Sequence, residues 1–112
     1  MRKKFAVPTV DGKLCSHFGH CQSFAVIEVE NNKIVSEDYL NPPGHEPGSF
    51  PRFLGEHGVN IIIAGGMGRR AQDLFMQNNI EVCIGVSQEK PSALVYKYLN
   101  DNLETGNNLC DH

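Results

Sequence analysis

The chain has 112 residues, 40% of them hydrophobic and 21% charged, with a formal net charge of −3. That length supports one hydrophobic core, and the composition is that of an ordinary soluble globular domain. A net negative charge argues against nucleic acid as a partner, and no apolar run approaches the roughly 20 residues that span a bilayer.

The basic start Arg2-Lys3-Lys4 precedes an apolar stretch too short for a signal peptide, so the chain is expected in the cytoplasm with its cysteines reduced. Lys3 to Pro8 reads as a first strand, ended by its proline. Thr9 to Gln22 keeps no period, is rich in Gly, His and Cys, and reads as a loop. Ser23 to Glu30 is β-branched and aromatic, a second strand. Asn31-Asn32 is a hairpin turn, because asparagine tolerates positive φ, and Ile34 to Leu40 returns as a third strand. Asn41 to Ser49 carries three prolines and two glycines and is a loop.

Phe50 to His57 reads as a short helix with Pro51 in its first turn and Gly58 as its stop. Val59 to Ala64 contains Ile61-Ile62-Ile63, as expected of a strand buried on both faces. Gly65-Gly66-Met67-Gly68 turns tightly into a helix over Arg69 to Asn78. Ile80 to Ile84 is a fifth strand, with Cys83 assigned to the core. Lys90 to Leu99 is a third helix whose inward residues are Leu94, Val95, Tyr98 and Leu99. Asp101 to His112 is an irregular tail.

This order, β-β-β-α-β-α-β-α, predicts a single domain over residues 1–112 in the α/β class. Short connections make the first three strands an antiparallel meander, and right-handed crossovers put the fourth strand beside the first. The expected sheet is mixed and five-stranded, with order 3-2-1-4-5, strand 2 antiparallel and helices on both faces. That is a three-layer α/β/α sandwich of the ribonuclease-H-like kind.

The chemistry is concentrated in Cys15-Ser-His17-Phe-Gly-His20-Cys21 and in the ending Cys110-Asp111-His112. Thiolate and imidazole are the donors that select zinc, copper(I) and iron–sulfur centres. A surface loop with incidental cysteines is the bland alternative, but two cysteines and two histidines within seven residues favour ligation. Structural sites want four donors, so Cys110 and His112 are candidates to complete the shell. No Cys-x-x-Cys motif is present, and the spacing names no particular metal.

The turn Gly65, Gly66, Met67, Gly68 and the following Arg69 form a second candidate, because a helix N-terminus offers free N–H groups and positive potential to an anion. Its glycine spacing loosely fits a dinucleotide fingerprint, yet the next strand ends Cys83-Ile84-Gly85, with no acid to hold a ribose. Strand ends lack the gathered carboxylates of two-metal nucleases. No Ser-His-Asp set, Walker motif or nucleophile elbow is present, so the chain is not expected to be an enzyme.

Several of these marks occur together, in order. They are an opening strand ending Val7-Pro8, then Asp11-Gly12, then Ser16-His17-Phe18-Gly19 before Phe24-Ala-Val-Ile-Glu-Val. Further on come Gly65-Gly66-Met67-Gly68 before a helix with Ala71 and Phe75, then Ile80-Glu-Val. In this the chain resembles the dinitrogenase iron–molybdenum cofactor biosynthesis family, the NifX-like domain also found at the tail of NifB. Its Cys110-Asp111-His112 ending is similar to that of a small stand-alone branch, which the cysteines at 15 and 21 also suit.

The resemblance implies a ribonuclease-H-like fold and a carrier or chaperone for iron–sulfur or molybdenum–iron–sulfur clusters, with His17 as a cluster ligand. It implies cluster donor and acceptor proteins as partners. A homodimer bridged by a cluster through these loops is compatible with it. Zinc on the same Cys and His ligands is the alternative cargo, and a small anion or nucleotide at the glycine-rich turn is a third reading.

Overall fold

The computed structural model describes residues 2–14, 22–41, 49–84, 86 and 89–100. Over these residues the chain forms β1 (Arg2–Val10), β2 (Lys13–Leu14), β3 (Ser23–Glu30), β4 (Lys33–Leu40), α1 (Ser49–Glu56), β5 (Ile61–Ile63), α2 (Arg69–Gln77), β6 (Glu81–Cys83) and α3 (Pro91–Leu99). One mixed sheet runs β4-β3-β1-β5-β6, with β2 paired to β1. β3 lies antiparallel to both β1 and β4, whereas β5 lies parallel to both β1 and β6. The fold is therefore α/β, with a mixed sheet and three helices.

Alternation along the strands sends apolar side chains to both faces and makes two cores. On one face Ala6, Phe24 and Ile62 meet Phe50 and Leu54 of α1 and Phe75 of α2. On the other, Phe5, Ile27 and Ile63 meet Leu94 and Val95 of α3. Edge-on aromatic pairs lie in both layers: Phe24 with Phe50 at 5.3 Å and Phe5 with Tyr98 at 5.1 Å between ring centroids. The inward residues expected of α3 are the ones that pack.

Helix ends follow from local chemistry. Gly58, at φ 77°, closes α1 while Val59 N–H bonds Leu54 O and Gly58 N–H bonds Gly55 O. This is the paired 6→1 and 5→2 pattern of a left-handed C-terminal stop. Asn79, at φ 61°, does the same for α2: Ile80 N–H bonds Phe75 O and Asn79 N–H bonds Met76 O. Asn31 and Asn32, both at positive φ, make the β3–β4 hairpin.

Three expectations need correcting. Pro8 does not end the first strand, which runs on to Val10. Thr9 to Gln22 is not wholly loop: Asp11 and Gly12, at φ 54° and 80°, form a two-residue hairpin turn that brings back β2, with Thr9 opposite Leu14 and Val10 opposite Lys13. Cys83 borders the core rather than lying inside it.

Pro8 is tolerated because of where the ladder breaks. Lys4 N–H donates to the Asn60 side chain (Oδ1, 2.9 Å) and Lys4 O accepts from Asn60 N–H, so even-numbered residues of β1 turn their N–H and C=O towards β5. On that flank β5 pairs with Phe5 and Ala6 and β2 with Thr9 and Val10. The residue without an N–H thus stands in the gap between two partners, where a donor would have no ladder acceptor.

Candidate functional site

β1, β5 and β6 are parallel, and their C-terminal ends share one edge of the sheet. Three connections converge there. β1 turns through Asp11-Gly12 into β2, β5 runs into Gly65–Gly68, and β6 runs towards Val86 and Glu89. Crevices beyond the carboxyl ends of parallel strands, where neighbouring connections diverge, are the usual ligand positions in open α/β sheets.

The ends of the segment between Leu14 and Gln22 are held tightly. Leu14 is 1% exposed, lies opposite Thr9 and donates its N–H to Glu89 O at 3.0 Å. On the other flank Gln22 N–H bonds Thr9 O at 2.7 Å. Thr9 therefore sits between the point where the segment departs and the point where it returns, about 10 Å apart as two strand spacings. Gln22 Oε1 accepts the Asp11 N–H at 3.1 Å, tying the hairpin tip to the start of β3. Thr9 Oγ1 lies 2.8 Å from Ser23 Oγ and 3.1 Å from Ser23 O. Glu89 uses its carboxylate too, bonding Lys97 Nζ of α3 with both oxygens at 2.8 Å.

The glycine-rich turn is packed at its start and open at its end. Ala64 N–H bonds Cys83 O, and Val86 N–H bonds Ala64 O, so the chain after β6 crosses the end of β5. Gly65 and Gly66 are buried, and Met67 is fully buried in the α1–α2 core. Met67 thus offers a guest no thioether, and its carbonyl accepts from Gln72 Nε2 at 2.9 Å. Gly68 is the N-cap of α2, with extended backbone (φ −63°, ψ 153°) and no side-chain cap bond. A Cβ built there meets nothing within 4 Å. Arg69 and Arg70 are exposed in the first turn, where no acidic residue stands. Two cations at the positive end of a helix dipole are unfavourable for the isolated helix and favourable for a bound anion.

Cys15, His17, His20, Cys21, Cys110 and His112 lie outside the described residues, as does the loop 42–48. Among the described residues no three His, Cys, Asp or Glu side chains gather as a metal site. Cys83 is not poised for ligation. Burial, then the Glu81 carboxylate and a hydrogen bond to it (Sγ to Oε2, 3.8 Å), push its thiol up to about 11. α3 ends at the other edge of the sheet. Tyr98, near the end of α3, packs on Phe5 and donates to Glu81 Oε2 at 2.7 Å, and the Lys3 ammonium lies over its ring.

The sequence reading passed over Thr9, Gln22 and Glu89. The available signal was Asp11-Gly12 between Val10 and Lys13-Leu14, a strong hairpin dipeptide that brings Leu14 back beside Thr9. None of the described helices is long and apolar enough to cross a membrane.

The family model described as dinitrogenase iron-molybdenum cofactor matches residues 1–101. The chain is 32% identical over 84 residues to the protein MJ0580 of Methanocaldococcus jannaschii, covering 70% of this chain and 71% of that protein. Among solved structures it is similar to PH0822, with TM-score 0.85, 25% identity and coverage of 95% of this chain and 98% of the other. It shares its fold with the apo form of the orange protein from Desulfovibrio gigas, with TM-score 0.77, 18% identity and coverage of 93% and 92%.

Proposed function

The chain belongs to the dinitrogenase iron-molybdenum cofactor family, and from that premise we propose that it is a non-catalytic carrier of a metal–sulfur cluster. The family relates it to iron–molybdenum cofactor binding or biosynthesis. The finer reading is that an iron–sulfur or molybdenum–iron–sulfur cluster is its cargo, taken up from a donor protein and passed to an acceptor. Cys15, His17, His20 and Cys21 donate, and Cys110 and His112 complete the shell. Thiolate and imidazole suit iron–sulfur ligation. We also group the fold with the ribonuclease-H-like α/β/α sandwiches, without their nuclease chemistry, and assign the protein to the cytoplasm. A cluster bridging two copies fits the same ligands.

One observation carries the reading: the Cys- and His-rich segment springs from Leu14 and returns at Gln22, at the same sheet edge as the uncapped start of α2. Clusters with thiolate ligands are anionic. The free N–H groups of α2, the unobstructed Gly68 and the Arg69 guanidinium favour such a guest there, with the buried Gly65, Gly66 and Met67 packed behind them. A carrier must release its cargo, so a site at an open edge suits it better than a closed one.

Anaerobic reconstitution with iron and sulfide tests this. A coloured protein containing iron and acid-labile sulfide is expected, bleached by Cys15→Ser or Cys21→Ser. Full retention in the combined Cys15→Ser, His17→Ala, Cys21→Ser variant rejects the site. Stoichiometric zinc without iron or sulfide in oxygen-free material replaces the reading with a zinc site on the same ligands.

A further inference from the structure

β4 ends the sheet on one side and is paired on its β3 flank. Alternation fixes which of its residues look outwards. Even-numbered residues of β1 turn their main chain to β5, so odd-numbered ones turn it to β3. Phe5 lies opposite Ile27, so the odd-numbered residues of β3 answer them and the even-numbered ones face β4. Val26 lies opposite Asp38 and Phe24 opposite Leu40, which leaves Glu37 and Tyr39 to present N–H and C=O away from the sheet. Among the described residues no strand pairs with that flank. The register shifts between Glu28 and Val29, leaving Val35 as the extra residue of a bulge, so the open run is short, residues 36–40. Glu37 and Tyr39 stand on the α3 face, opposite Ile27 and Ala25, and Asp38 stands on the other face. Tyr39 is 50% exposed. On the neighbouring strand Arg2 pairs with both Glu28 and Glu30. Glu37 and Asp38 are exposed and have no cation partner among the described residues.

We propose that residues 36–40 of β4 dock an extended segment of a partner protein, added as a further strand, in which two adjacent basic residues stand beside an apolar one. Main-chain bonds to Glu37 and Tyr39 supply the pairing. Successive side chains of a strand point to opposite faces. Neighbouring Lys or Arg residues therefore reach Glu37 on one face and Asp38 on the other, and an apolar side chain covers Tyr39. A second copy of this chain is the wrong occupant, because a two-fold centred on Glu37 or Asp38 sets that carboxylate against itself. Charge on an edge strand deters self-pairing and leaves the edge open to a strand of opposite sign. The added strand lies three strand spacings, about 14 Å, from β1, and it leaves the carboxyl ends of β1, β5 and β6 uncovered. The proposal stands apart from the carrier reading.

The test titrates isotope-labelled full-length protein with the capped peptide TVKKVT and follows the backbone amide spectrum. The order valine–lysine–lysine–valine serves a strand of either direction. Shifts centred on residues 36–40, diminished by added salt, are expected. Glu37→Gln combined with Asp38→Asn should weaken binding about 2- to 30-fold, the worth of two exposed ion pairs, with the remaining amides unmoved. Should that pair disturb the fold, Asp38→Asn alone decides. The peptide TPKKPT keeps the charge and loses a pairing donor, and it should bind about 3- to 10-fold more weakly, the effect of one lost hydrogen bond. Absence of shifts at millimolar TVKKVT, shifts centred elsewhere, or equal binding by TPKKPT or by the acidic TVEEVT overturns the proposal. Changes in the β4 amides with protein concentration alone, without peptide, put a second copy on this edge and overturn it too.

Discussion

Replacing Gly68 by aspartate separates what the glycine does for the fold from what it does for a guest. Its backbone lies at φ −63° and ψ 153°, a conformation open to any residue, and an added Cβ meets nothing within 4 Å. Neither strain nor crowding demands glycine there. An aspartate at the N-cap accepts from the first free N–H groups of α2, a gain of a few tenths of a kcal/mol over glycine. Its charge at the positive end of the dipole adds about 0.3–1 kcal/mol. The sum, about 0.5–1.3 kcal/mol, raises the thermal midpoint of a domain this size by about 2–10 °C. The same carboxylate occupies the N–H groups that would face an anionic cluster and repels it. Gly68→Asp is therefore expected to be more stable empty and to bind less iron and sulfide. Circular-dichroism melting of cluster-free protein and iron analysis after anaerobic reconstitution read the two effects. A lowered midpoint would show that the fold itself needs Gly68. Undiminished iron uptake would remove the α2 N-terminus from the site.

The tail provides another test. α3 ends beside Lys3 and Phe5, about 20 Å along β1 from Thr9. Ten residues separate Asn100 from Cys110, so Cys110 lies within about 33 Å of the end of α3. Cys110→Ser with His112→Ala should keep most of the iron, while Cys15→Ser with Cys21→Ser should lose it; the reverse pattern would make the tail the principal ligand. Cys83, with its thiol at about 11 against an ordinary 9.0, carries about a hundredfold less thiolate near neutral pH than a free cysteine. Its alkylation by iodoacetamide, followed by peptide mass spectrometry, should be slower by about that factor in the folded protein than in urea, and equal rates would contradict the burial. The sign for stability follows. The fold favours the protonated thiol, so that contribution is present below pH 9 and is lost as pH rises towards 11.

Much of the architecture was legible because its signals are local. Ser23–Glu30 announces itself by β-branched residues, the Ile61–Ile63 run by unbroken hydrophobicity, and α1 by the glycine that stops it. What escaped depends on neighbours distant in sequence. Pro8 reads as a terminator, and only the handover from β5 to β2 along one flank of β1 makes a donorless residue acceptable there. The two-residue β2 is too short to show a period, although its Asp11-Gly12 turn is a clear cue. Met67 stands between glycines in a segment that reads as a tight turn, and its burial is set by the packing of α1 and α2. Soft donors at both chain ends are what the sequence offers for a metal site, and all six lie outside the described residues. The contacts of Thr9 and Gln22 were not legible, since a threonine in a strand and a glutamine in a loop look ordinary until pairing brings them together.

Glu89 adds a polar tie between the hairpin and α3, a helix that Tyr98 already ties to Glu81 of β6 and to Lys3 of β1. Its carbonyl grips Leu14 at the foot of the hairpin, and its carboxylate grips Lys97 on α3. Hairpin and helix are thereby yoked: any tug on the segment leaving Leu14 must stretch one of these links or drag the helix along. A reporter dye on the outward face of α3, at exposed Tyr96, would sit at the far end of that linkage.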